Sequence, residues 1–299
     1  MKKYTFGYVI LHYNLIKETS NCIQSIFQID DNPNIVVVDN CSPNETGNEL
    51  EKKFKDQANV HIILLDENVG FAKGNNVGYS YLQKQNSCDF ICCINNDTLI
   101  TDQDFKLKVI KEYDESGFAA LAPLVRLGNN TYQSYAPEMK SIQEYKEELY
   151  RLVSNKSFDD YVHSLDFLTK ILLKYPTIST LLRKMKQHFN KSLEQRRENV
   201  VLHGCFLVFS PIMLSNFKVA FDPRTFMYRE EELLYIRLRR QSLKTVYAPE
   251  ICITHLENST TNSLSQTSEE KYQFKRNCQI DSLKILIETM ENEEIKYGN

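Results

Sequence analysis

Along the first 125 positions, apolar residues come in short runs, most of them closed by polar residues. Residues 6–11, 35–38, 60–65, 90–94 and 118–122 are runs of this kind, dominated by Val, Ile, Leu, Phe, Cys and Ala. A run of that length without charge predicts a strand covered on both faces. Between the runs the spacing changes. Cys22, Ile23, Ile26, Phe27 and Ile29 recur at helical intervals within 17–29, and further helices are predicted at 45–54, up to about 85, and at about 102–113. Strands alternating with helices predict βαβ units with right-handed crossovers. The expected class is therefore α/β, a Rossmann-like, mainly parallel sheet flanked by helices.

Polar groups close several of these strands. The first ends in His12, Tyr13 and Asn14, the second in Asp39 and Asn40, and the fourth in Asn95, Asn96 and Asp97. In an open α/β sheet, ligands bind outside the carboxyl ends of the strands. Asn and Asp also build ordinary turns, but an Asp after each of two wholly apolar strands favours a site. There is no Walker-type glycine loop, and Gly70, Gly74 and Gly78 do not match the dinucleotide fingerprint. A phosphate held here needs another partner, and a divalent cation (Mn2+ or Mg2+) on Asp97 is the economical one.

Composition narrows the class. With 299 residues, 42% apolar and 25% charged, the chain can bury a globular core. A net charge of −3 supplies no whole-protein argument for nucleic-acid binding. The eight cysteines form no CxxC pair, and the chain starts with no signal-peptide pattern, so reduced thiols and a cytoplasmic location are expected. No run approaches the ~18 apolar residues of a membrane span, which leaves contact with the inner face of a membrane as the only membrane role.

The motifs together resemble the family 2 glycosyltransferases of GT-A fold, especially the bacterial rhamnosyltransferase-like and capsule-type members. The matching segments are Val9 to Asn14, Val36 to Ser42, Asn68 to Asn76 (Asn-Val-Gly-Phe-Ala-Lys-Gly-Asn-Asn) and Ile94 to Thr98. The resemblance implies that His12, Tyr13, Asn14 and Asp39 line the donor nucleotide, with Tyr13 and Asp39 at its base. It also implies that Asn68, Gly70, Asn75 and Asn96 border the sugar-nucleotide, and that Asp97 binds the metal. The glycines of that loop could equally serve a tight strand-to-helix turn. The family's metal motif is often Asp-x-Asp, and here Asn95 stands first.

Farther along, 138–199 reads as a helical insertion. Ile178, Leu181, Leu182, Met185 and Phe189 form an apolar stripe beside Arg183, Lys184, Lys186, Lys191, Arg196 and Arg197. Such a helix binds a membrane surface or a partner, or packs on the domain with a solvated basic face. Sheet character returns at 200–210, where the resemblance puts Gly204 near the acceptor. Glu230, Glu231 and Glu232 then open a helix. Acids at a helix N-terminus are favoured by its dipole alone. The resemblance assigns Glu230 and Glu231 to the family's acidic pair, Glu231 as catalytic base, with Arg237 following. Short strands are predicted at 244–247 and 251–253. By the same resemblance His255 completes the metal or diphosphate site, and Arg276, on the final helix from 269, approaches phosphate or acceptor.

The expected protein is an inverting hexosyl- or deoxyhexosyltransferase. It would use a UDP- or dTDP-sugar and a saccharide or lipid-linked saccharide acceptor, in capsule or O-antigen assembly. Residues 1–137 form the donor half, 138–199 the insertion, and 200–299 the acceptor half of one GT-A domain. The rivals are a nucleotidyltransferase, which would want a basic glycine-rich loop after the first strand, and a degraded sugar-nucleotide-binding protein, suggested by Asn95 and by Leu233 in a third acidic position.

Overall fold

The apolar runs at the start of the chain form adjacent parallel strands. They are β1 (Phe6–His12), β2 (Asn34–Asp39), β3 (Val60–Leu64) and β4 (Phe90–Asn95). Their crossovers are α1 (Ile16–Phe27), α2 (Thr46–Phe54) and α3 (Gly70–Lys84). The structure is a computed structural model describing residues 4–85, 88–128, 131–133, 138–154, 193–256 and 268–297. Next come β5 (Thr98–Ile100), α4 (Phe105–Ser116), β6 (Ala120–Leu127), α5 (Ile142–Ser154), β7 (Arg197–Glu198) and β8 (Phe206–Phe209). The chain closes with α6 (Pro211–Asn216), α7 (Glu230–Arg239), β9 (Thr245–His255) and α8 (Ser268–Tyr297).

One sheet has the order β3-β2-β1-β4-β8-β6-β9-β5, with β7 also on β9. β8 runs antiparallel between β4 and β6, while β6 and β9 are parallel to each other. This mixed α/β sheet flanked by helices is the expected fold class. Alternation across the strands separates two cores. Tyr8, Ile10, Val37 and Cys92 face α1, α2 and α4 on one side; Val9, Val36, Val38 and Cys93 face α3, α6 and α7 on the other. All eight cysteines are free. A third apolar cluster joins α5, α7 and α8 through Tyr145, Leu233, Ile236, Leu283, Leu286 and Ile287.

Two strands differ from expectation. β5 follows Asp97 directly and pairs with β9, Thr98 opposite His255. Three residues are too short to show a periodicity. β9 is one strand rather than two. Its ladder with β6 jumps from Ala248 to Cys252 between Pro123 and Leu124, so residues 249–251 bulge out. The bulge accommodates Pro249, which has no N–H to give.

Most of the basic helix predicted at 178–197 lies outside the described residues. Of its cations, Arg196 ties α4 to β7: its Nε and Nη2 donate to Glu112 at 3.0 and 2.7 Å, and Nη2 also to Glu198 at 2.8 Å. No helix among the described residues is long and apolar enough to cross a membrane.

Candidate active site

The sheet register brings the polar strand ends together. His12 stands opposite Asp39, and Leu11 opposite Asn95, with β1 between β2 and β4. Asp39 is buried. Its carboxylate accepts the hydroxyl and the backbone N–H of Ser42 and lies against the Cα of Gly47 at the start of α2. His12 is fully buried, its Nδ1 2.6 Å from Thr19 Oγ1 and its Nε2 2.9 Å from Thr46 Oγ1. Burial lowers its pKa to about 4 against the opposing pull of Asp39, so at neutral pH it is an uncharged brace behind the edge. Tyr13 is half-buried at the edge itself. Asn14 takes a left-handed φ of 63°, which an Asn tolerates, and its N–H donates to Ser42 Oγ at 2.9 Å.

The 68–76 loop is tied down at both ends. Asn40 holds its start, accepting from Val69 N–H at 2.9 Å and donating to Gly70 O at 3.2 Å. Asn68 Oδ1 accepts the Gly70 N–H. Gly70 has φ 82° and sits against the Phe226 backbone, where a Cβ has no room. Phe71 N–H donates to Phe226 O at 2.7 Å. One turn on, Asn76 donates to Phe221 O and accepts from Phe221 N–H, at 2.9 and 2.8 Å. The motif thus fastens α3 to the 221–226 segment that leads to the acidic triplet. Asn75 is buried, donating to Phe71 O, while its Oδ1 has no partner among the described residues.

At the end of β4, Asn96 donates to Thr19 Oγ1 at 3.1 Å, and Asp97 Oδ1 lies 3.1 Å from His255 Nε2. The other ring nitrogen of His255 is 2.9 Å from Gln133 Oε1. His255 thus lies between an amide and a carboxylate, with Asp97 at hydrogen-bond distance from Nε2. Two ligands in adjacent positions on an octahedral ion, each about 2.1 Å from it, are about 3 Å apart. Asp97 and His255 therefore fit a divalent cation. No group of three or more His, Cys, Asp or Glu suited to a metal occurs among the described residues. Further ligands would come from the donor phosphates and water.

Glu230 to Glu232 start α7 after a strained turn: Tyr228 and Arg229 have φ of 76° and 66°. Such residues cost about 1–3 kcal/mol each and concentrate at functional sites. Each Glu points differently. Glu230 is 3% exposed, with Oε1 unpartnered among the described residues. Glu232 accepts from Arg229 Nη1 at 2.8 Å. Glu231 shares a cleft of about 430 Å³ with Asn95, His203, Gly204, Arg229, Glu230 and Glu232, and its Oε1 accepts the Gly204 N–H at 3.1 Å. A Cβ at Gly204 would collide with that carboxylate, so only glycine lets Glu231 lie there. Burial raises the pKa of both Glu230 and Glu231 and mutual repulsion among the triplet adds to it.

The segment His203-Gly204-Cys205 joins these two groups. Gly204 holds Glu231, and the Cys205 thiol is pushed up by burial, then by Asp97 and Glu231. Burial, with His255 next, lowers the His203 pKa to about 4, and Cys205 N–H donates to its Nδ1 at 3.2 Å. Glu231 reaches this segment at Gly204, and the end of β4 that carries Asp97 reaches it through the Asn95 N–H on Cys205 O at 2.9 Å. Arg276 and Arg237 serve elsewhere. Arg276 donates to Leu152 O and Val153 O at the end of α5 (2.9 and 3.3 Å). Arg237 donates to Ala220 O and lies 4.6 Å over the Phe217 ring. Sequence reasoning missed Gln133, Thr19, Thr46 and Phe226. None carries a local signal, because each matters only through a partner distant in the chain.

The fold resembles solved glycosyltransferase structures. Mannosyltransferase PcManGT from Pyrobaculum calidifontis, in complex with GDP-Man and Mn2+, aligns over 100% of this chain and 77% of its own, with 9% identity and TM-score 0.53. S. aureus TarS 1–349 with UDP-GlcNAc aligns over 92% of this chain and 65% of its own, with 14% identity and TM-score 0.52. Against another structure of S. aureus TarS 1–349 the identity is 15% and the TM-score 0.51, and the match spans 60% of that chain. It spans 36% of the longer TarS structure. No curated protein sequence matches. The family model for Glycosyl transferase family 2 matches residues 8–209, more than half of the chain and the whole run from β1 to β8, and the chain therefore belongs to that family.

Proposed function

We propose that this chain is an inverting glycosyltransferase that moves a hexose or deoxyhexose from a UDP- or dTDP-sugar to a hydroxyl of a saccharide or lipid-linked saccharide. The role in bacterial surface-polysaccharide assembly rests on the resemblance of its motifs. The observation that carries the reading is the 203–205 segment, with Glu231 on its Gly204 N–H and, on its Cys205 O, the N–H of Asn95, two residues before the Asp97 that meets His255. The structural neighbours in complex with UDP, UDP-GlcNAc and GDP-Man support a sugar-nucleotide donor.

In this reading the nucleotide lies along the carboxyl edge near Asp39 and Tyr13. A divalent cation on Asp97 and His255 would neutralise the diphosphate as it leaves. The acceptor hydroxyl oxygen forms a bond to the anomeric carbon while the bond from that carbon to the phosphate oxygen breaks. Gly204 N–H fixes Glu231 Oε1, and Oε2 takes the hydroxyl proton. A single displacement with one base inverts the anomeric centre, and proton transfer to a positioned base contributes about 10²–10⁴-fold in rate.

The test is incubation of the purified protein with UDP-, dTDP- and GDP-sugars, with Mn2+ and with EDTA. Release of nucleoside diphosphate that depends on the metal, with inverted product configuration by NMR, is expected. Retained configuration overturns inversion. Pyrophosphate release from a nucleoside triphosphate and a sugar phosphate would instead establish the nucleotidyltransferase, and no turnover of any donor would leave a binding protein.

A further inference from the structure

Glu231 sits two residues beyond a turn that adopts its conformation only under constraint. Consecutive left-handed residues persist where their surroundings over-determine them, and here the surroundings are α5 and α8. Arg229 forks between Glu148 on α5, through Nη2, and Glu232 on α7, through Nη1 at 2.8 Å. Its guanidinium lies 5.6 Å from the centre of the Tyr145 ring, and Tyr145 is 2% exposed in the α5–α7–α8 cluster. Lys140 holds the second oxygen of Glu148 at 2.8 Å. Ser282 on α8 donates to Met227 O at 2.7 Å, just ahead of the turn. Arg229 O accepts the Leu233 N–H at 3.1 Å, the hydrogen bond that closes the first turn of α7. A shift of the Arg229 backbone therefore moves the turn carrying Glu231.

We propose that Arg229, anchored by Glu148 and Tyr145, is a positioning residue that aims the Glu231 carboxylate, so that α5 governs turnover without touching substrate. The inference rests on Glu231 being the base. Arg229 is suited to the task because a planar guanidinium forks between two carboxylates and stacks on a ring at once, which a lysine cannot do. Placement matters because a misplacement of about 1 Å costs about 10²-fold in rate.

Steady-state kinetics on Glu148→Gln tests this, since the amide keeps the shape and a hydrogen-bond acceptor but loses the charge. We expect kcat to fall about tenfold while KM for the donor stays within about twofold. Arg229→Met should fall further, Arg229→Lys should recover part of the loss, and Arg229→Met/Glu148→Gln should be no slower than Arg229→Met alone. In a Glu231→Gln background, Glu148→Gln should change the residual rate by less than about twofold, because no base remains to be aimed. Wild-type kcat in Glu148→Gln overturns the proposal. So does a loss that appears in donor KM, or one that persists in full without Glu231. Wild-type turnover in Glu231→Gln alone would instead remove the base assignment, and the positioning role with it.

Discussion

Burial and then the neighbouring Glu232 raise the Glu231 pKa to about 7, while the Gly204 N–H and Arg229 pull it back. A general base works as the anion, so kcat should climb with pH through that region and level off above it. A profile flat from about pH 5 to about pH 9 would show that no such group titrates in the rate-limiting step. Glu231→Gln should lower turnover by roughly 10²-fold or more with donor affinity near wild type, measured by nucleotide release and calorimetry. The carboxyl of Glu230 is held above its ordinary range, first by burial and then by Glu231. Such a group binds its proton more tightly folded than unfolded. Its stabilising contribution is present below the ordinary carboxyl range and lost as pH rises through the raised one. Glu230→Gln should therefore raise Tm relative to wild type more at about pH 8 than at about pH 5. An equal shift at both pH values would mean that Glu230 is not buried as a proton-holding acid.

Among the elements, α3 is held to the chain before α7 by one side chain that uses both its amide groups. Asn76 satisfies both the N–H and the C=O of Phe221, across 145 residues of sequence. Asn76→Ala orphans two buried backbone groups, each worth about 1–3 kcal/mol. The expected loss is about 2–6 kcal/mol in urea unfolding, and a loss below about 0.5 kcal/mol would show that the 221–226 segment stands without the clamp. Gly70 is the companion contact, because its left-handed φ lets Phe71 N–H reach Phe226 O. The start of α3 is thus hydrogen-bonded at two places to the segment that leads into α7.

For the whole molecule, two protein ligands are too few to hold a hard cation tightly, which usually keeps water and substrate phosphate in its shell. Metal and nucleotide should therefore bind cooperatively. Mn2+ alone should leave Tm nearly unmoved and UDP alone should raise it little, while both together raise it by more than the sum. A saturating ligand at 100 times its Kd stabilises by about 2.7 kcal/mol, which thermal denaturation resolves. Asp97→Asn should remove the cooperative part and leave the metal-free nucleotide effect. Equal UDP shifts with Mn2+ and with EDTA would remove the cation from donor binding.

The α/β class and the polar strand ends were legible along the chain, because a doubly covered strand must be apolar throughout and its neighbours in sequence show where it stops. Asp39 and Asp97 stood out for the same local reason, whereas Glu231 was singled out by the resemblance of its motif. The tertiary structure decided what those groups meet. His255 finds Gln133 across 122 residues and Asp97 across 158, and both contacts follow from β5 and β6 flanking β9 in the sheet order. Only the packing of α7 gives three consecutive glutamates around one cleft different settings: Glu230 is buried, Glu231 takes the Gly204 N–H and Glu232 takes Arg229. Arg276 shows the same limit from the other side, since the resemblance of its helix suggested phosphate or acceptor and only the fold reveals its hydrogen bonds to the end of α5. Apolar periodicity is written in near neighbours, whereas the partner of a polar side chain depends on how distant strands and helices are ordered in space.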